Sequence, residues 1–239
     1  ELYLKRLLVG GLPRVYEISR NFRNEGVDRQ HNPEFTLMEV YEAFGDYLTM
    51  MELTEGLIRK LAVMVSDTAV VPWGVHRIDY KQPFRRLTYA ELFEQANGFA
   101  MNQIDRVRAK ARDLHLEEAG MDDWLVVNEL FEQTAEKDLI QPTFVMDYPS
   151  AISPLTRPKR DDPALCERWD LFIGGMEIGP AYSELNDPDL QEARFRQQLD
   201  GGCRCLPGKL PGQGHQFAIA GPRLHPTTDL HRMAADGNR

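Results

Sequence analysis

The chain has 239 residues, of which 42% are hydrophobic and 27% are charged, so we expect one or two globular domains around a sizeable core. Its formal net charge of −9 at pH 7 disfavours a broadly basic surface for nucleic acid. The sequence contains neither an apolar run long enough to cross a bilayer nor a signal-peptide pattern at its start, which together predict a cytoplasmic protein.

Hydrophobic periodicity predicts the first elements in chain order. Residues 1–9 have a helical pattern, and strands are predicted at 14–24 and 34–44. The next apolar run, DYLTMMELTEGLIRKLAVMV, predicts an amphipathic helix with Asp46 as its N-cap. Residues 68–87 are expected to form short strands and turns.

The second half of the chain alternates between the two kinds of pattern. Residues 88–138 are mainly helical in pattern, and Thr88 is the expected N-cap of the first of these helices. After Pro142 the runs TFVMDYP, RWDLFIGG and MEIGPAYSEL predict strands that are separated by glycines. The pair Asp187-Pro188 predicts the start of a last helix over DLQEARFRQQL.

The hairpin predicted from the first two strands carries a distinctive set of side chains. Alternation places the apolar residues of its first strand on one face: Tyr16, Ile18 and Phe22. With the loop centred near Arg29, odd positions of the two strands pair, so the other face carries Arg23, Phe35, Glu39 and Tyr41. A guanidinium can bind a phosphate there and an aromatic ring can stack on a purine, which fits ATP. Alternation alone favours an ordinary half-buried hairpin whose charged residues face water.

A pair of carboxylates marks a second candidate site. Asp170 and Glu177 are seven residues apart across Gly174-Gly175, a spacing that suits one metal site if the glycines let the two strands meet. Oxygen ligands suit Mg²⁺, which usually needs only one or two protein carboxylates in addition to phosphates and water. On spacing alone, such an acidic pair is more often surface charge.

Several segments together resemble one family. The string FRNE, a short loop, HNPEFT and a following Glu and Tyr resemble motif 2 of the lysine-type class II aminoacyl-tRNA synthetases. The segments ELYLKRLLVGGLPRVYEISR, FVMDYPSAISPLTRPKRDDP and ERWDLFIGGMEIGPAYSELNDP resemble the same family, in the same order. The resemblance implies an α+β fold in which helices flank an antiparallel sheet. It also implies a partial catalytic domain over residues 1–199 with a helical insertion at about 88–138.

The resemblance also implies roles for individual residues. Arg23 would be the catalytic residue, holding the α-phosphate of ATP and the substrate carboxylate. The implied ATP-binding residues are Arg23, Glu25, His31, Asn32, Phe35, Asp170 and Glu177, and the last two would also bind Mg²⁺. The implied lysine-binding residues are Glu1, Arg23, Glu39, Tyr41, Tyr182 and Glu184.

The implied reaction is the activation of lysine with ATP to lysyl-adenylate, followed by transfer to the acceptor end of tRNA(Lys). Contact with tRNA would rest on a local basic run, Arg157, Lys159 and Arg160, which is more typical of a solvated loop. Members of the family are homodimers, which is doubtful for this chain. Two alternatives stay open: a related ligase that attaches lysine to a translation elongation factor, and a non-catalytic fragment that binds ATP or lysine.

The sequence departs from the family pattern in several places. Pro180 stands where relatives usually have a polar residue, often Asn, which predicts weaker contacts with the substrate. Motifs 1 and 3 are not found, and residues 200–239 predict a divergent tail that is poorly ordered or out of frame. An irregular Cys and His set in this tail fits no zinc template. The three cysteines are expected to be free thiols: Cys166, Cys203 and Cys205.

Overall fold

A computed structural model describes residues 1–24 and 32–200, which contain both helices and strands. The helices are α1 (Leu2–Val9), α2 (Tyr47–Val65), α3 (Tyr89–Asn97), α4 (Ile104–Asp113), α5 (Asp123–Thr134) and α6 (Pro188–Asp200). The strands are β1 (Arg14–Phe22), β2 (Glu34–Glu42), β3 (Val70–Trp73), β4 (His76–Asp79), β5 (Arg85–Thr88), β6 (Thr143–Met146), β7 (Arg168–Ile173) and β8 (Met176–Tyr182). The predicted order of helices and strands is therefore confirmed. No helix in the described ranges is long and apolar enough to cross a membrane.

The predicted helix starts are confirmed by capping hydrogen bonds. Asp46 Oδ1 accepts a hydrogen bond from the backbone N–H of Thr49, 2.9 Å away, at the start of α2. Thr88 and Glu91 form a reciprocal capping box at the start of α3. Asp187 accepts hydrogen bonds from two backbone N–H groups at the start of α6. These side chains satisfy N–H groups that have no partner inside their own helix.

The β1–β2 hairpin is a two-stranded sheet of its own, and odd positions pair with odd positions as predicted, although the pairing is centred one residue before Arg29. Glu17 lies opposite Glu39, and Asn21 lies opposite Phe35. Arg23 continues this register, because its backbone N–H donates to the carbonyl oxygen of Pro33 at 2.9 Å. The predicted polar surface of the hairpin is therefore one continuous face.

The burial of the hairpin is opposite to that of an ordinary half-buried hairpin. The apolar residues Tyr16, Ile18 and Phe22 are 71%, 63% and 72% exposed, whereas Glu39 is 7% exposed and Tyr41 is fully buried. Helix α1 causes this difference, since it packs on the polar side and forms a small apolar cluster around Tyr41 with Leu4 and Leu8. The carboxylate of Glu39 is thus sheltered from water rather than solvated.

The larger sheet has the order β5-β6-β7-β8 and is covered on both faces. One face packs against α3, α4 and α5 around Phe93, Phe131 and Val145. The other packs against α2 around Met51 and Trp169. The sheet is mainly antiparallel, as the predicted α+β fold implies, with one parallel pair, β5 and β6. The helices between these two strands carry the chain back to the same end of the sheet, which allows parallel pairing.

The turn between β7 and β8 is fixed by its surroundings. Gly174 and Gly175 have φ values of 66° and 74°, in the left-handed region that a tight two-residue hairpin turn requires. The N–H groups of these glycines donate to the carbonyl oxygens of Ile140 and Leu139 at 2.9 and 3.1 Å. Trp73 Nε1 donates to the carbonyl oxygen of Gly174 at 3.1 Å. The turn is therefore held from two other parts of the chain.

Replacing Gly175 by alanine is expected to lower the free energy of unfolding by about 2 kcal/mol. A Cβ at this position would lie 2.9 Å from the carbonyl oxygen of Lys137 and would also have an unfavourable φ. Gly120→Ala is the matched control, because Gly120 has a φ of 75° with nothing within 4 Å of the added Cβ. Denaturant unfolding of both variants separates the two effects. Equal losses of stability would show that the contact with Lys137 does not matter.

Candidate functional site

The polar face of the hairpin brings two of the predicted ATP-binding side chains, Arg23 and Phe35, together at its open end. The guanidinium carbon of Arg23 lies 5.1 Å from the ring centroid of Phe35, within the range of a cation–π contact. Asn32 is exposed at the start of the returning segment. Glu25 and His31 lie outside the described residues, so their predicted roles stay predictions.

The lysine-binding residues predicted from the resemblance come from three parts of the fold and meet beside this face. Glu1 directly precedes α1, whereas Glu39 and Tyr41 belong to β2. Tyr182 ends β8, and Glu184 follows it in an isolated bridge to another loop. Tyr41 Oη donates a hydrogen bond to Glu39 Oε1 at 3.3 Å. The structure therefore assembles carboxylates and phenols into one pocket, which we call the acidic pocket.

Lys5 also belongs to the acidic pocket, and the sequence analysis missed it. Its Nζ lies 2.8 Å from Glu1 Oε1 and 2.7 Å from Glu184 Oε1. The same Nζ lies 6.0 Å from the ring centroid of Tyr41. The helical spacing of four residues between Glu1 and Lys5 was a signal for the first of these contacts. Nothing local in the sequence indicates the contact with Glu184.

Burial and negative charge set the protonation of the acidic pocket. Burial raises the pKa of Tyr41 far above its ordinary value, and Glu39 adds to the rise. Burial also raises the pKa of Tyr182, and Glu184 adds to that rise. Both phenols therefore stay neutral and can donate hydrogen bonds. Burial alone would lower the pKa of the Lys5 ammonium, but the nearby carboxylates outweigh burial, so Lys5 stays charged.

A buried ion pair lies on strand β7 of the four-stranded sheet. Arg168 contacts both carboxylate oxygens of Asp170, with distances of 2.8 Å from Nε to Oδ1 and 2.7 Å from Nη2 to Oδ2. Arg168 Nη1 donates to Ser153 Oγ at 3.0 Å, and the guanidinium lies 4.5 Å from the ring centroid of Tyr148. Such a two-point contact fixes the orientation of a carboxylate. The sequence analysis missed Arg168, although a separation of two residues on a strand places both side chains on one face.

A β-bulge brings Glu177 to the face that carries Asp170. The register shifts between Leu171 and Phe172, so that Phe172 lies opposite Glu177. Without this shift, alternation would point Glu177 to the other face of the sheet. Oε1 of Glu177 is buried and has no hydrogen-bond partner. Burial raises the pKa of Glu177 well above its ordinary value, and the charge of Asp170 adds to the rise.

Glu177 fits a role as a Mg²⁺ ligand, whereas Asp170 could join it only through oxygens that already accept hydrogen bonds from Arg168. No group of three or more Cys, His, Asp or Glu side chains in the described part of the chain could hold a metal ion unaided. Mg²⁺ does not need such a group, since substrate phosphates and water complete its coordination. The buried, unpartnered oxygen of Glu177 beside a second carboxylate is a position where a cation relieves both desolvation and repulsion.

Glu136, just after α5, is a further buried acid near this pair. Burial raises its pKa from 4.5 to about 8, and the charges of Glu132 and Asp170 add to the rise. Between these two pH values the folded protein holds a proton on Glu136 that the unfolded chain has lost. The free energy of unfolding is therefore expected to fall with rising pH, by up to about 1.4 kcal/mol per pH unit from this group.

Glu136→Gln is expected to remove this contribution, because glutamine does not titrate. The slope of unfolding free energy against pH, measured by denaturant unfolding between about pH 5.5 and 7.5, should become less negative by up to about 1.4 kcal/mol per pH unit. Glu94→Gln, which changes an exposed carboxylate of α3, is the control. An unchanged slope in Glu136→Gln would contradict the prediction.

Other predictions concern residues outside these sites. The basic run is not simply solvated, because Arg157 lies 3.5 Å from Glu167 Oε2 and Lys159 lies 2.9 Å from Asp147 Oδ1. Cys166 is a free, buried thiol whose burial raises its pKa to about 11. Cys203, Cys205 and the rest of the predicted tail beyond residue 200 lie outside the described residues.

Comparison with known proteins identifies the family. Residues 1–201 match the model of the family described as tRNA synthetases class II (D, K and N). The chain belongs to these class II tRNA synthetases. The resemblance seen in the sequence is thereby confirmed.

Three relatives of this class II chain are lysine–tRNA ligases. The protein from Erwinia tasmaniensis is 47% identical over 205 residues, which are 84% of this chain and 40% of the relative. The protein from Chloroflexus aurantiacus is 46% identical over 205 residues, which are 83% of this chain and 41% of the relative. The protein from Actinobacillus pleuropneumoniae serotype 5b is 46% identical over 206 residues, with the same coverage. The chain thus spans about two fifths of the length of these relatives.

The four-stranded sheet accommodates Pro180 in strand β8. Pro180 is buried and lies directly opposite Asp170 in the register of β7 and β8. Strand β8 is at the edge of the four-stranded sheet, where a residue without an N–H group is tolerated. The backbone is therefore compatible with proline at this position.

Proposed function

We propose that the protein is the catalytic core of a lysine–tRNA ligase, which forms lysyl-adenylate from lysine and ATP and transfers the lysyl group to tRNA(Lys). The observation that carries this proposal is the acidic pocket beside the hairpin face. It gathers the carboxylates Glu1, Glu39 and Glu184 with the neutral phenols Tyr41 and Tyr182. The lysine–tRNA ligases to which the chain is similar support the same choice of substrate.

The charge of the acidic pocket suits lysine. Lysine has two ammonium groups, and removing each from water costs several kcal/mol unless a carboxylate compensates. Glu1 takes the α-ammonium, while Glu184 and Tyr41 take the ε-ammonium at the far end. An apolar amino acid would bring no ε-ammonium to Glu184 and Tyr41, so the pocket favours lysine over it.

ATP lies on the open end of the hairpin face. Arg23 holds the α-phosphate together with the lysine carboxylate, and Phe35 stacks on the adenine ring. Asn32, Glu25 and His31 complete this binding surface, with Glu25 at the adenine amino group and His31 at the distal phosphates. Glu177 and Asp170 would hold Mg²⁺, which would neutralise negative charge on the phosphates.

The reaction needs no general base, because the lysine carboxylate is already ionised. Its oxygen attacks the α-phosphorus of ATP in line, and the bond from this phosphorus to the bridging oxygen breaks. Pyrophosphate leaves and lysyl-adenylate stays in the pocket. The contribution of this chain is to align the two substrates and to neutralise charge at the α-phosphate through Arg23. The reaction takes place in the cytoplasm, where ATP, lysine and tRNA are all present.

Lysine-dependent exchange of pyrophosphate into ATP tests the activation step, and lysylation of tRNA(Lys) tests the transfer step. We expect exchange that requires lysine and is not supported by other amino acids. Lysylation of a translation elongation factor instead of tRNA would favour the related ligase. Binding of lysine and ATP without exchange, even after the remaining segments of the relatives are supplied, would favour a non-catalytic fragment.

A further inference from the structure

Lys5 lies between the two carboxylates that would bind the substrate ammonium groups. Its Nζ contacts one oxygen of each, Glu1 Oε1 at 2.8 Å and Glu184 Oε1 at 2.7 Å. One protein cation therefore bridges both ends of the acidic pocket. Lys5 contacts Oε1 of each carboxylate, and a ligand ammonium would bind the second oxygen, Oε2.

The positive charge of Lys5 offsets negative charge in the acidic pocket. The acidic pocket contains three carboxylates, Glu1, Glu39 and Glu184, whereas lysine has only two ammonium groups. Two of these carboxylates, Glu1 and Glu184, share the ammonium of Lys5, which offsets the repulsion between their negative charges. The Glu184 side chain is only 16% exposed, so it gains most from this cation.

The position of Lys5 on α1 suits a fixed role. Leu4 and Leu8 are each 5% exposed and anchor the helix on the hairpin. The same helical face carries Glu1 and Lys5, one turn apart. Burial raises the pKa of Glu184, and Lys5 is the neighbour that opposes this rise. Lys5 thus favours the ionised form of Glu184, against the effect of burial.

We propose that Lys5 is a positioning residue of the lysine site, which bridges Glu1 and Glu184 and turns their second oxygens toward the two ammonium groups of the substrate. This inference rests on the proposed function, because it assumes that lysine binds in the acidic pocket. Lys5 itself contacts neither ATP nor the reacting carboxylate. Its loss therefore weakens lysine binding and leaves ATP binding intact.

Calorimetric titration of the protein with lysine, and separately with ATP, tests this role. In Lys5→Met the Kd for lysine is expected to rise about tenfold or more, while the Kd for ATP stays unchanged. Lys5→Arg keeps the charge and should recover most of the affinity for lysine. Arg6→Met is the matched control, since Arg6 is the exposed neighbouring cation on α1 and should leave both Kd values unchanged.

Each outcome of the titration decides the inference. An unchanged or lower Kd for lysine in Lys5→Met overturns it, and so does an equal loss of affinity for ATP, which would indicate general damage to the fold. Where Lys5→Met gives no cooperative thermal melt, Lys5→Gln replaces it and is judged by the same criteria. If the unmodified protein does not bind lysine at all, the proposed function fails, which is distinct from a failure of the inference alone.

Discussion

Replacing Arg23 by alanine is expected to lower the rate of lysine-dependent pyrophosphate exchange by about 10²–10³-fold. The proposed role of Arg23 is to neutralise charge that develops at the α-phosphate and to hold the attacking carboxylate in line. Both effects are larger in the transition state than in the bound substrates. The loss should therefore appear mainly in kcat rather than only in the KM for ATP.

The control for this variant is Arg20→Ala on the same strand. Arg20 points to the opposite face of the hairpin, its side chain is 78% exposed, and it lies 3.6 Å from Glu34. Arg20→Ala should leave the rate of exchange within about twofold, because an exposed ion pair contributes little. Similar rates for the Arg23→Ala variant and the unmodified protein would exclude the hairpin face as the site of catalysis.

Replacing Arg168 by methionine is expected to lower the free energy of unfolding by about 3–5 kcal/mol, the largest loss of stability that we predict. The guanidinium makes three hydrogen bonds inside the protein, to Asp170 and Ser153. Its removal leaves the carboxylate of Asp170 buried and unpaired, near the already unfavourable charge of Glu177. Denaturant unfolding of the purified variant measures this loss.

A double variant separates the effect of losing the ion pair from the effect of leaving one buried charge unpaired. Arg168→Met combined with Asp170→Leu replaces both charges by apolar side chains, so no buried charge is left without its partner. We expect the double variant to be more stable than Arg168→Met alone. If both variants are equally unstable, the packing of Arg168 against Tyr148 matters more than its charge.

The hairpin face was predictable, whereas its burial was not. Alternation and a loop centred on a residue, rather than between two residues, are enough to place Arg23, Phe35, Glu39 and Tyr41 on one surface. Which surface is sheltered depends on α1, which packs on the polar side through Leu4 and Leu8. That choice is a tertiary contact, and no pattern within the hairpin strands records it.

The two missed cations show a related limit. Lys5 and Arg168 stand at helical and strand spacings from acids that the sequence analysis had identified, Glu1 and Asp170. Spacing shows that such side chains share a face, but charged neighbours on a face are usually solvated. The contact between Lys5 and Glu184 joins residues that are far apart in the chain, so only the fold reveals it.

Two further features could not be predicted from the sequence pattern: that Glu177 faces Asp170, and that β5 and β6 are parallel. Glu177 faces Asp170 because of a bulge beside Phe172, and a regular register would have separated the two acids. The parallel pairing of β5 and β6 follows from the path of the helices between them. The glycines before Glu177 indicated a tight turn but not the position of the bulge.

The central claim is that the acidic pocket recognises the two ammonium groups of lysine, and calorimetric comparison of lysine with norleucine tests it most directly. Norleucine has the same six-carbon chain but lacks the ε-ammonium. We predict that lysine binds at least about 10²-fold more tightly, and that Glu184→Gln removes most of this preference. Equal affinities for the two amino acids, or a preference that survives in Glu184→Gln, would contradict the account.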